Sequence, residues 1–357
     1  MKFIFWQNII SIHQSAFLKA LADKHSVTLV AEQALDEQRK GECWSIPDMG
    51  KSRIILSPTT AQIEELLKDE AAYHVFSGID AYPMVYRAFK LAVDKNCHIS
   101  VMAEPYEWAG MKGFLRRVKY SLLFMRYSRY IDHFFTTGNM GMLCYQKAGF
   151  PVSKLHQWGY FTEQSELSAI NFESSKLSVG VKLLYVGRID ANKNILPILE
   201  NFDSYGEYVV CFSIIGDGPL YSELQMMAKS NPKIKVLGRL GNDDAKRMMR
   251  EHDYLVLPSL YDGWGAVVNE ALSVGTRVLC SDACGASILL DGKMRGAAFS
   301  QDTACVTIKE WSAKGRLIVE ERNGIVAWTK EHASGVVAAD YFKKTIEGKP
   351  SVAPWLQ

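Results

Sequence analysis

The strongest constraint in this sequence is a repeated alternation of short apolar segments with longer amphipathic ones. Runs of apolar and β-branched residues favour strands, and apolar residues at helical spacing favour helices. Strands that alternate with helices predict βαβ units, and therefore an α/β protein with parallel sheets. In the first half, the predicted strands are residues 2–6, 26–31, 74–76 and 98–103, and the predicted helices are 11–24, 63–67 and 82–93.

The alternation stops at a polar stretch in the middle of the chain and then restarts. Residues 161–180 hold clusters of Glu and Ser without a clear period, which is typical of a linker. A length of 357 residues also exceeds what one core usually organises. We therefore predict one domain at 1–165, a linker at 166–180 and a second domain at 181–334. Its predicted strands are 182–186, 208–215, 234–237, 254–257 and 276–281, and a last helix is predicted at 334–346.

Charge and cysteine content narrow the classes of partner and compartment. The 41 Lys and Arg residues against 39 Asp and Glu residues leave a formal net charge of +2, so the chain has no general attraction to nucleic acid. Seven cysteines are too dilute for a disulfide framework, which favours free thiols in a reducing cytosol. Polar residues interrupt the apolar start of the chain, which predicts a strand, a loop and a helix rather than a signal peptide. No apolar run is long enough to predict a membrane span.

The most informative motif follows the predicted strand at 254–257. Asp262 precedes a predicted helix, and Glu270 lies within that helix, roughly 7 Å along its axis. Gly263 and Gly265 would let the backbone approach a ligand closely. The unpaired N–H groups and positive dipole at the start of a helix form a site for phosphate. The spacing therefore predicts a diphosphate at the helix start, with Glu270 able to reach a ribose and Asp262 able to accept from sugar hydroxyls. An ordinary loop acid followed by a solvated helix acid is the alternative for this motif alone.

Two cations follow the first predicted strand of the same domain. Arg188 and Lys193 come directly after residues 182–186. In open parallel sheets, ligands bind beyond the carboxyl ends of the strands. An arginine provides a planar fork and a lysine a point charge, and both neutralise phosphate. An exposed basic loop is the simpler interpretation of these two residues alone, but the motif at Asp262 and Glu270 favours an anion site.

Four ordered motifs in the second half resemble those of the retaining GT-B glycosyltransferases of family 4. They read YVGRIDANK, IIGDGPLYSEL, VLGRL and PSLYDGWGAVVNEALSVGTRVLCSDACGA, and the similarity covers essentially all of residues 181–300. The resemblance implies two Rossmann-like domains that face across a cleft, with a C-terminal helix after about residue 335 packing back on the first. It also implies transfer of a sugar from a nucleotide-diphosphate sugar with retention and without a metal. No Asp-x-Asp pair is present, which fits that expectation.

The same resemblance implies roles for individual residues. The family's Glu-x7-Glu element corresponds to Asp262 and Glu270, so its first acid is one methylene shorter here. Glu270 would hold the ribose, Arg188 and Lys193 the diphosphate, and Asp262 the sugar. Backbone near Arg239 would meet the base. The full set of implied donor-binding residues is Gly187, Arg188, Lys193, Gly216, Arg239, Leu240, Asp262, Gly263, Trp264, Gly265, Ala266 and Glu270.

The first domain matches the family less well and is expected to bind the acceptor. The loop after its first strand, residues 7–11, lacks the glycines that are frequent in the family. His13 follows that loop and is a candidate catalytic residue, with a surface or capping role as the alternative. The strand at 98–103 ends without the histidine frequent in related enzymes. Glu104 is therefore the candidate for that edge of the site, with an ordinary loop acid as the alternative.

Residues 112–130 carry six basic side chains and no acidic one. Phe114, Val118, Leu122 and Met125 recur at helical spacing, which predicts a basic amphipathic helix suited to an anionic membrane. A core-facing helix with a solvated basic side is the alternative. The resemblance adds that related enzymes acting on lipid-linked acceptors use such a patch. Its predicted members are Lys112, Arg116, Arg117, Lys119, Arg126 and Arg129.

The resemblance therefore implies a metal-independent, retaining glycosyltransferase, and no bound cofactor is expected. By resemblance, its acceptor is expected to be a lipid-linked glycan of bacterial surface polysaccharide or lipopolysaccharide synthesis. The expected location is cytoplasmic, on the inner face of the membrane. Three alternatives stay open: a nucleotide-sugar epimerase or hydrolase on the same fold, a non-catalytic membrane-peripheral scaffold, and a soluble sugar or protein as the acceptor.

Overall fold

A computed structural model describes residues 1–35, 46–108, 110–163 and 180–357. The chain forms two compact units. Unit 1 contains Met1–Glu163 together with Ala333–Gln357, and unit 2 contains Gln164–His332. Except for residue 180, the predicted linker at 166–180 lies outside the described residues.

Unit 1 is built around a parallel sheet of seven strands in the order β3-β2-β1-β4-β5-β6-β7. The central strands are rich in aromatic and β-branched residues because helices cover both faces of a parallel sheet. The strands are β1 (Lys2–Gln7), β2 (Ser26–Ala31), β3 (Arg53–Leu56), β4 (Ala72–Ser77), β5 (His98–Ala103), β6 (His133–Thr137) and β7 (Leu155–Trp158).

Helices connect these strands, as the sequence pattern predicts. Proline at the first helical position suits the start of the helix at Pro83, since its missing N–H would have no partner there. The helices of unit 1 are α1 (Ile12–Ala22), α2 (Thr60–Leu66), α3 (Pro83–Asp94), α4 (Gly110–Tyr127) and α5 (Gly138–Lys147).

The last long helix of the chain belongs to unit 1. It spans Gly335–Ile346, is named α12 below, and packs along α1. Phe342 is fully buried, and its ring lies 5.3 Å from that of Phe17 and 5.1 Å from that of Phe135. The helix thus covers one face of the seven-stranded sheet.

Unit 2 contains a parallel sheet of six strands in the order β10-β9-β8-β11-β12-β13. The strands are β8 (Val181–Val186), β9 (Val209–Ile215), β10 (Ile234–Gly238), β11 (Tyr254–Leu257), β12 (Arg277–Ser281) and β13 (Gly296–Phe299). The helices are α6 (Ile195–Glu200), α7 (Tyr221–Ser230), α8 (Asn242–Glu251), α9 (Ala266–Ser273), α10 (Ala304–Ala313) and α11 (Val319–His332).

In each sheet the order in which strands are added reverses once. In unit 1 the change falls between β1 and β4, and in unit 2 between β8 and β11. At such a point the loops leaving two neighbouring strands diverge, and the crevice between them is where open α/β sheets bind ligands. The predicted α/β class with two Rossmann-like halves is confirmed, and the sheet of each half has one such crevice.

Candidate functional site

The crevice of unit 2 lies between the loops that follow β8 and β11. The two loops are joined by hydrogen bonds: Leu260 N donates to Asn192 O at 2.8 Å, and Asn192 Nδ2 donates to Tyr261 O at 2.9 Å. These contacts hold together the two segments in which the sequence predicted donor-binding residues.

Lys193 and Asp262 form a close ion pair across this crevice. Lys193 Nζ lies 2.5 Å from Asp262 Oδ2, and the two side chains are 23% and 16% exposed. The other carboxylate oxygen, Asp262 Oδ1, accepts from Trp264 N at 3.3 Å. Both oxygens of Asp262 are therefore engaged with protein groups, so a sugar hydroxyl would have to share or replace one of these bonds.

Arg188 is positioned by an acid in its own loop. Its Nε lies 3.2 Å from Asp190 Oδ2, and the arginine side chain is about half exposed. Asp190 Oδ1 also accepts from the backbone N of Lys193 at 2.9 Å. The buried Tyr185 donates its hydroxyl to Arg188 O at 2.6 Å. One acid thus orders both ends of the cationic loop.

Two glycines let the loops after β8 and β9 meet. Gly216 has a φ of +143°, and a Cβ atom there would overlap the carbonyl oxygen of Gly187. Its amide donates to Gly238 O at 2.8 Å, so this loop is also tied to the end of β10. No other residue fits at Gly216, because both the φ angle and the space exclude a side chain.

The loop before α9 is packed against the protein interior. Gly265 has a φ of +87°, and a Cβ there would lie 2.5 Å from Cys284 Sγ. Gly265 was predicted to allow close approach of a ligand, but a buried thiol lies against it instead. Trp264 is 1% exposed and donates its Nε1 to Asn269 Oδ1 at 2.7 Å, so its ring is a core element. The amides from Gly263 to Ala266 remain the groups of this loop that suit phosphate.

Glu270 is half-buried in the second turn of α9. Burial raises the pKa of its carboxyl above the ordinary value, and the charge of Lys246 opposes this only in part. Keeping the Glu270 carboxyl ionised at this place costs free energy, and hydrogen bonds from a ligand would offset that cost. Perturbed acids in a crevice are frequent at functional sites.

Arg239 and Leu240 follow β10 at the same edge of the sheet. Arg239 Nε lies 3.1 Å from Asp217 Oδ2, and both side chains are about half exposed. Leu240 is exposed as well. The loops that follow strands β8 to β11 thus carry the predicted donor residues, since the strands are parallel and end at one edge.

Unit 1 contains a cavity of about 370 Å³ at the carboxyl edge of its own sheet. Glu104 lines it, and one of its carboxylate oxygens accepts from the hydroxyl of Tyr160. The backbone oxygen of Glu104 accepts from Tyr145 Oη at 2.6 Å. His13 lies beside the cavity, with its ring stacked on that of Tyr160 at a centroid distance of 5.1 Å. The two weaker candidates of the first domain therefore both contact Tyr160.

Three side chains at these sites were not predicted. Asp190 and Asp217 position the two arginines, and Tyr160 joins Glu104 to His13. An acid two residues after Arg188 is a signal that the sequence offers. Tyr160 follows β7 by two residues, and that strand was not predicted, so nothing marked the tyrosine.

Helix α4 exposes the apolar row that its sequence predicts. Phe114, Val118, Leu122 and Met125 are 49%, 41%, 58% and 75% exposed, whereas Phe124 of the same helix is buried. The core-facing alternative is therefore wrong for this row. Two basic residues of the patch have acidic partners, Arg116 with Glu107 at 2.9 Å and Lys119 with Asp80 at 2.8 Å. Lys112, Arg117, Arg126 and Arg129 complete the predicted patch, all exposed.

The described helices and acidic, histidine and cysteine side chains bear on membrane spanning and metal binding. Of the helices in the described ranges, none combines the length and the apolar character that crossing a membrane requires. Within the same ranges, no three His, Cys, Asp or Glu side chains are grouped so that they could hold a metal ion.

Comparison with known families gives a match in unit 2. Residues 180–310 match the model of the glycosyl transferases group 1. An uncharacterised glycosyltransferase of Methanocaldococcus jannaschii is 26% identical over 151 residues, which are 40% of this chain and 38% of that protein. TuaC of Bacillus subtilis, assigned to teichuronic acid biosynthesis, is 32% identical over 106 residues, 30% of this chain and 26% of its own. The matched stretches thus span less than two fifths of these relatives.

Solved structures resemble the chain over nearly its whole length. HepE of Anabaena in complex with UDP has a TM-score of 0.71 at 12% identity, covering 98% of this chain and 100% of that one. The lipopolysaccharide outer core galactosyltransferase WaaB has a TM-score of 0.67 at 13% identity, covering 98% and 99%. At such low identities, these structural similarities establish the fold alone. Residues 180–310 therefore match the glycosyl transferases group 1, in a chain that has the GT-B fold.

Proposed function

We propose that this chain transfers a sugar from a nucleotide-diphosphate sugar to an acceptor hydroxyl. The observation that carries the proposal is the crevice of unit 2, where the Lys193–Asp262 pair joins the loop that carries Arg188 to the loop that precedes α9. This crevice lies within the residues that match the family model. HepE, which shares the fold, was solved with UDP.

The chemistry follows from where negative charge develops. As the bond between the anomeric carbon and the diphosphate oxygen breaks, the electron pair stays on the leaving phosphate. Arg188, Lys193 and the amides that begin α9 are groups that stabilise this charge, and such electrostatic stabilisation is usually the largest catalytic term. Lys193 binds the phosphate after its ion pair with Asp262 breaks. These groups supply the positive charge in a reaction that we propose to be metal-independent.

Retention of configuration is part of the proposal. The acceptor oxygen would attack the anomeric carbon from the face that the diphosphate leaves. The proton of the acceptor hydroxyl would pass to an oxygen of the departing phosphate, so no protein base is required. The new glycosidic bond and the protonated nucleoside diphosphate then balance the bond that was broken.

The acceptor is proposed to be a lipid-linked glycan of bacterial surface polysaccharide or lipopolysaccharide synthesis. Two observations support this choice. TuaC is assigned to teichuronic acid biosynthesis, and WaaB is named for the lipopolysaccharide outer core. Both names concern glycans of bacterial cell surfaces.

Helix α4 is proposed to rest on the inner face of the cytoplasmic membrane. Its apolar row is exposed and flanked by cations, which is the pattern of helices that lie in an anionic interface. Each cation near such a surface contributes about 1 kcal/mol. The enzyme would then work where lipid-linked acceptors are anchored.

Nucleotide binding tests the donor site. Thermal shift and calorimetry with UDP, GDP, ADP, CMP and their common sugars should show one preferred diphosphate. Glu270→Ala should remove that binding and the transfer activity while the protein stays folded. Glu251→Ala is the matched control, because Glu251 is exposed and precedes β11, at the opposite edge of the sheet. Equal turnover of the two variants would contradict the assigned site.

The same preparation separates the alternative functions. An epimerase or hydrolase converts the donor without an acceptor, so an assay with donor alone detects it. A scaffold would bind none of the nucleotides. Product formation that requires both donor and acceptor supports the transferase.

Vesicle flotation tests the membrane surface. The double variant Arg117→Gln, Arg126→Gln should bind vesicles containing phosphatidylglycerol on the order of 30-fold more weakly, about 1 kcal/mol per cation. Lys229→Gln with Lys235→Gln removes the same charge from exposed positions of unit 2 and serves as the control. Unchanged flotation of the first variant would refute the role of α4.

A further inference from the structure

One glutamine side chain joins several loops at the carboxyl edge of the unit 2 sheet. Gln301 follows β13 by two residues, and its Oε1 accepts from Asn194 Nδ2, in the loop after β8, at 2.8 Å. Its Nε2 lies 3.3 and 3.2 Å from the carbonyl oxygens of Pro258 and Ser259, which follow β11. The same nitrogen lies 3.1 Å from Ser281 Oγ at the end of β12. Because β8, β11, β12 and β13 are consecutive in the sheet, this carboxamide connects the ends of four neighbouring strands.

The hydrogen-bond partners fix the orientation of the Gln301 carboxamide. Carbonyl oxygens only accept, so the amino group must face Pro258 and Ser259. Both residues are buried, and buried carbonyl groups need hydrogen-bond partners. The carboxamide oxygen then faces the amino group of Asn194. A glutamate would place a carboxylate oxygen against the two carbonyl groups, so the position requires a side chain that both donates and accepts.

The backbone holds both partners of the bond between Gln301 and Asn194. Residues 301–303 form a helical turn that Ser300 and Thr303 cap reciprocally. Ser300 N donates to Thr303 Oγ1 at 3.1 Å, and Thr303 N donates to Ser300 O at 3.0 Å. Asn194 has a φ of +54° and directly precedes α6. Asparagine is one of the few residues that adopt this left-handed conformation readily.

The contacts of Gln301 lie next to the residues that bind the diphosphate in the proposed function. Lys193 directly precedes Asn194, and Asp262 belongs to the loop after β11. The loops after β8 and β11 diverge at the crevice, because the strand order reverses between these two strands. Gln301 contacts both loops, so its hydrogen bonds limit how far the two sides of the crevice can separate.

We infer that Gln301 is a positioning residue of the donor site, whose carboxamide holds the loop of Lys193 at the distance from the loop after β11 that a bound diphosphate requires. The inference rests on the proposed function and adds a residue to its donor site. Gln301 acts through Lys193, so loss of the carboxamide should weaken diphosphate binding only while Lys193 is present. A residue that merely stabilises the edge of the sheet would show no such dependence.

A double-mutant cycle in diphosphate affinity tests this dependence. Gln301→Met keeps the length of the side chain without its hydrogen bonds, and Gln301 is exposed, so the core stays intact. Calorimetry with UDP, GDP and ADP should show the preferred diphosphate bound about fivefold more weakly, the factor for one net hydrogen bond. In a Lys193→Gln background the same substitution should change the affinity by less than about twofold, because coupled residues are not additive. Equal losses in both backgrounds, or no loss in either, would overturn the inference.

A variant of the partner residue tests the contact from the other side. Asn194→Gly removes one partner of the 2.8 Å bond and suits the positive φ, so the backbone stays unstrained. It should weaken diphosphate binding, and combining it with Gln301→Met should add little further loss. Gln225→Met makes the matched change at an exposed position of α7 and should bind like the wild type. Fully additive losses in the double variant would contradict the inference.

Hydrogen exchange without nucleotide separates failure of the two proposals. In Gln301→Met the amides of residues 190–194 and 259–262 should exchange about fivefold faster than in the wild type, while those of β9 keep their rates. Unchanged exchange would overturn the inference whether or not a nucleotide binds. If no nucleotide binds to the wild type, the proposed function fails, and the exchange rates still decide whether Gln301 holds the two loops. If a diphosphate binds equally well to the wild type and to Gln301→Met, the donor site stands and the inference is wrong.

Discussion

Asp262 is the residue whose surroundings depart most from what its motif implies. The resemblance gives the first acid of the motif to the donor sugar. In the structure its oxygens contact Lys193 Nζ at 2.5 Å and Trp264 N at 3.3 Å. A side chain shorter by one methylene than glutamate ends closer to its own backbone, which favours these local partners. The main contacts of Asp262 are therefore with Lys193 and with the loop that precedes α9.

Replacement of Asp262 should change the affinity for a diphosphate in a defined direction. Asp262→Asn keeps an oxygen for Trp264 N but removes a negative charge beside the anion site. Nucleoside diphosphate should then bind roughly fivefold more tightly, a gain of about 1 kcal/mol from lost repulsion and a released Lys193. Calorimetry with the preferred diphosphate measures this. The corresponding nucleoside without phosphates is the control, and its affinity should not change.

The opposite result has a clear meaning. Weaker diphosphate binding in Asp262→Asn would show that the pair orients Lys193 for the phosphate and that this orientation outweighs repulsion. Lys193→Gln should weaken the binding of the nucleoside diphosphate in either case.

At the scale of elements, the C-terminal helix α12 supplies a buried aromatic ring to the core of unit 1. Phe342 is fully buried and lies between the rings of Phe17 and Phe135. Ser334 caps the helix by accepting from Val337 N. The helix completes unit 1 although it follows unit 2 in sequence.

Truncation of this ring should destabilise unit 1 selectively. Phe342→Ala removes a buried aromatic side chain, which costs about 3–5 kcal/mol. We expect hydrogen exchange to accelerate in β1 and β6 while the strands of unit 2 keep their protection. Val336→Ala on the same helix is the control, since Val336 is 64% exposed. Equal acceleration in both units would mean that they unfold as one.

The elements that the sequence predicts best are the ones buried in the middle of a sheet. The predicted bounds of β2, β5 and β11 agree with the structure to the residue. Four strands were not predicted: β3, β6, β7 and β13. Three of them, β3, β7 and β13, are outermost, whereas β6 is an inner strand. β3 is largely exposed and β13 consists mostly of small residues, so neither has the continuous apolar run that marks a central strand.

The candidate site was predictable in part for a related reason. Parallel strands end at one edge, so residues after β8 and β11 had to lie together, and Arg188, Lys193 and Asp262 do. Which cation pairs with which acid depends on side-chain packing that no spacing encodes. The role of Gly265 depends on Cys284, nineteen residues later, and was not accessible from the local pattern.

At the scale of the whole molecule, both units carry a buried neutral histidine. Burial lowers the pKa of His74 in unit 1 and of His252 in unit 2 to about 4. His252 donates its Nδ1–H to Met248 O at 2.6 Å, and its Nε2 accepts from Ser213 Oγ at 2.9 Å. In the unfolded chain each imidazole would take up a proton near its ordinary pKa of 6.5.

Stability should therefore fall as the pH decreases from 6.5 toward 4. Over that window the unfolded chain binds more protons than the folded one, so acidification favours unfolding, by up to about 3 kcal/mol for each histidine. Urea unfolding monitored by hydrogen exchange in each unit measures the slope. His252→Gln should flatten the slope for unit 2 and leave that of unit 1 unchanged. An unaltered slope for unit 2 would assign its acid sensitivity to other groups.

The return of the chain to unit 1 also has a consequence for synthesis on the ribosome. The residues of unit 2 emerge before α12 does, so unit 2 can fold while the ring of Phe342 is still absent from the core of unit 1. Until residues 333–357 arrive, the surface that Phe342 covers, with Phe17 and Trp158, faces water. Exposed apolar surface of this kind makes partly folded chains prone to aggregation. The unit whose first strand is made earliest is thus the last to complete its fold, and it would depend most on chaperones.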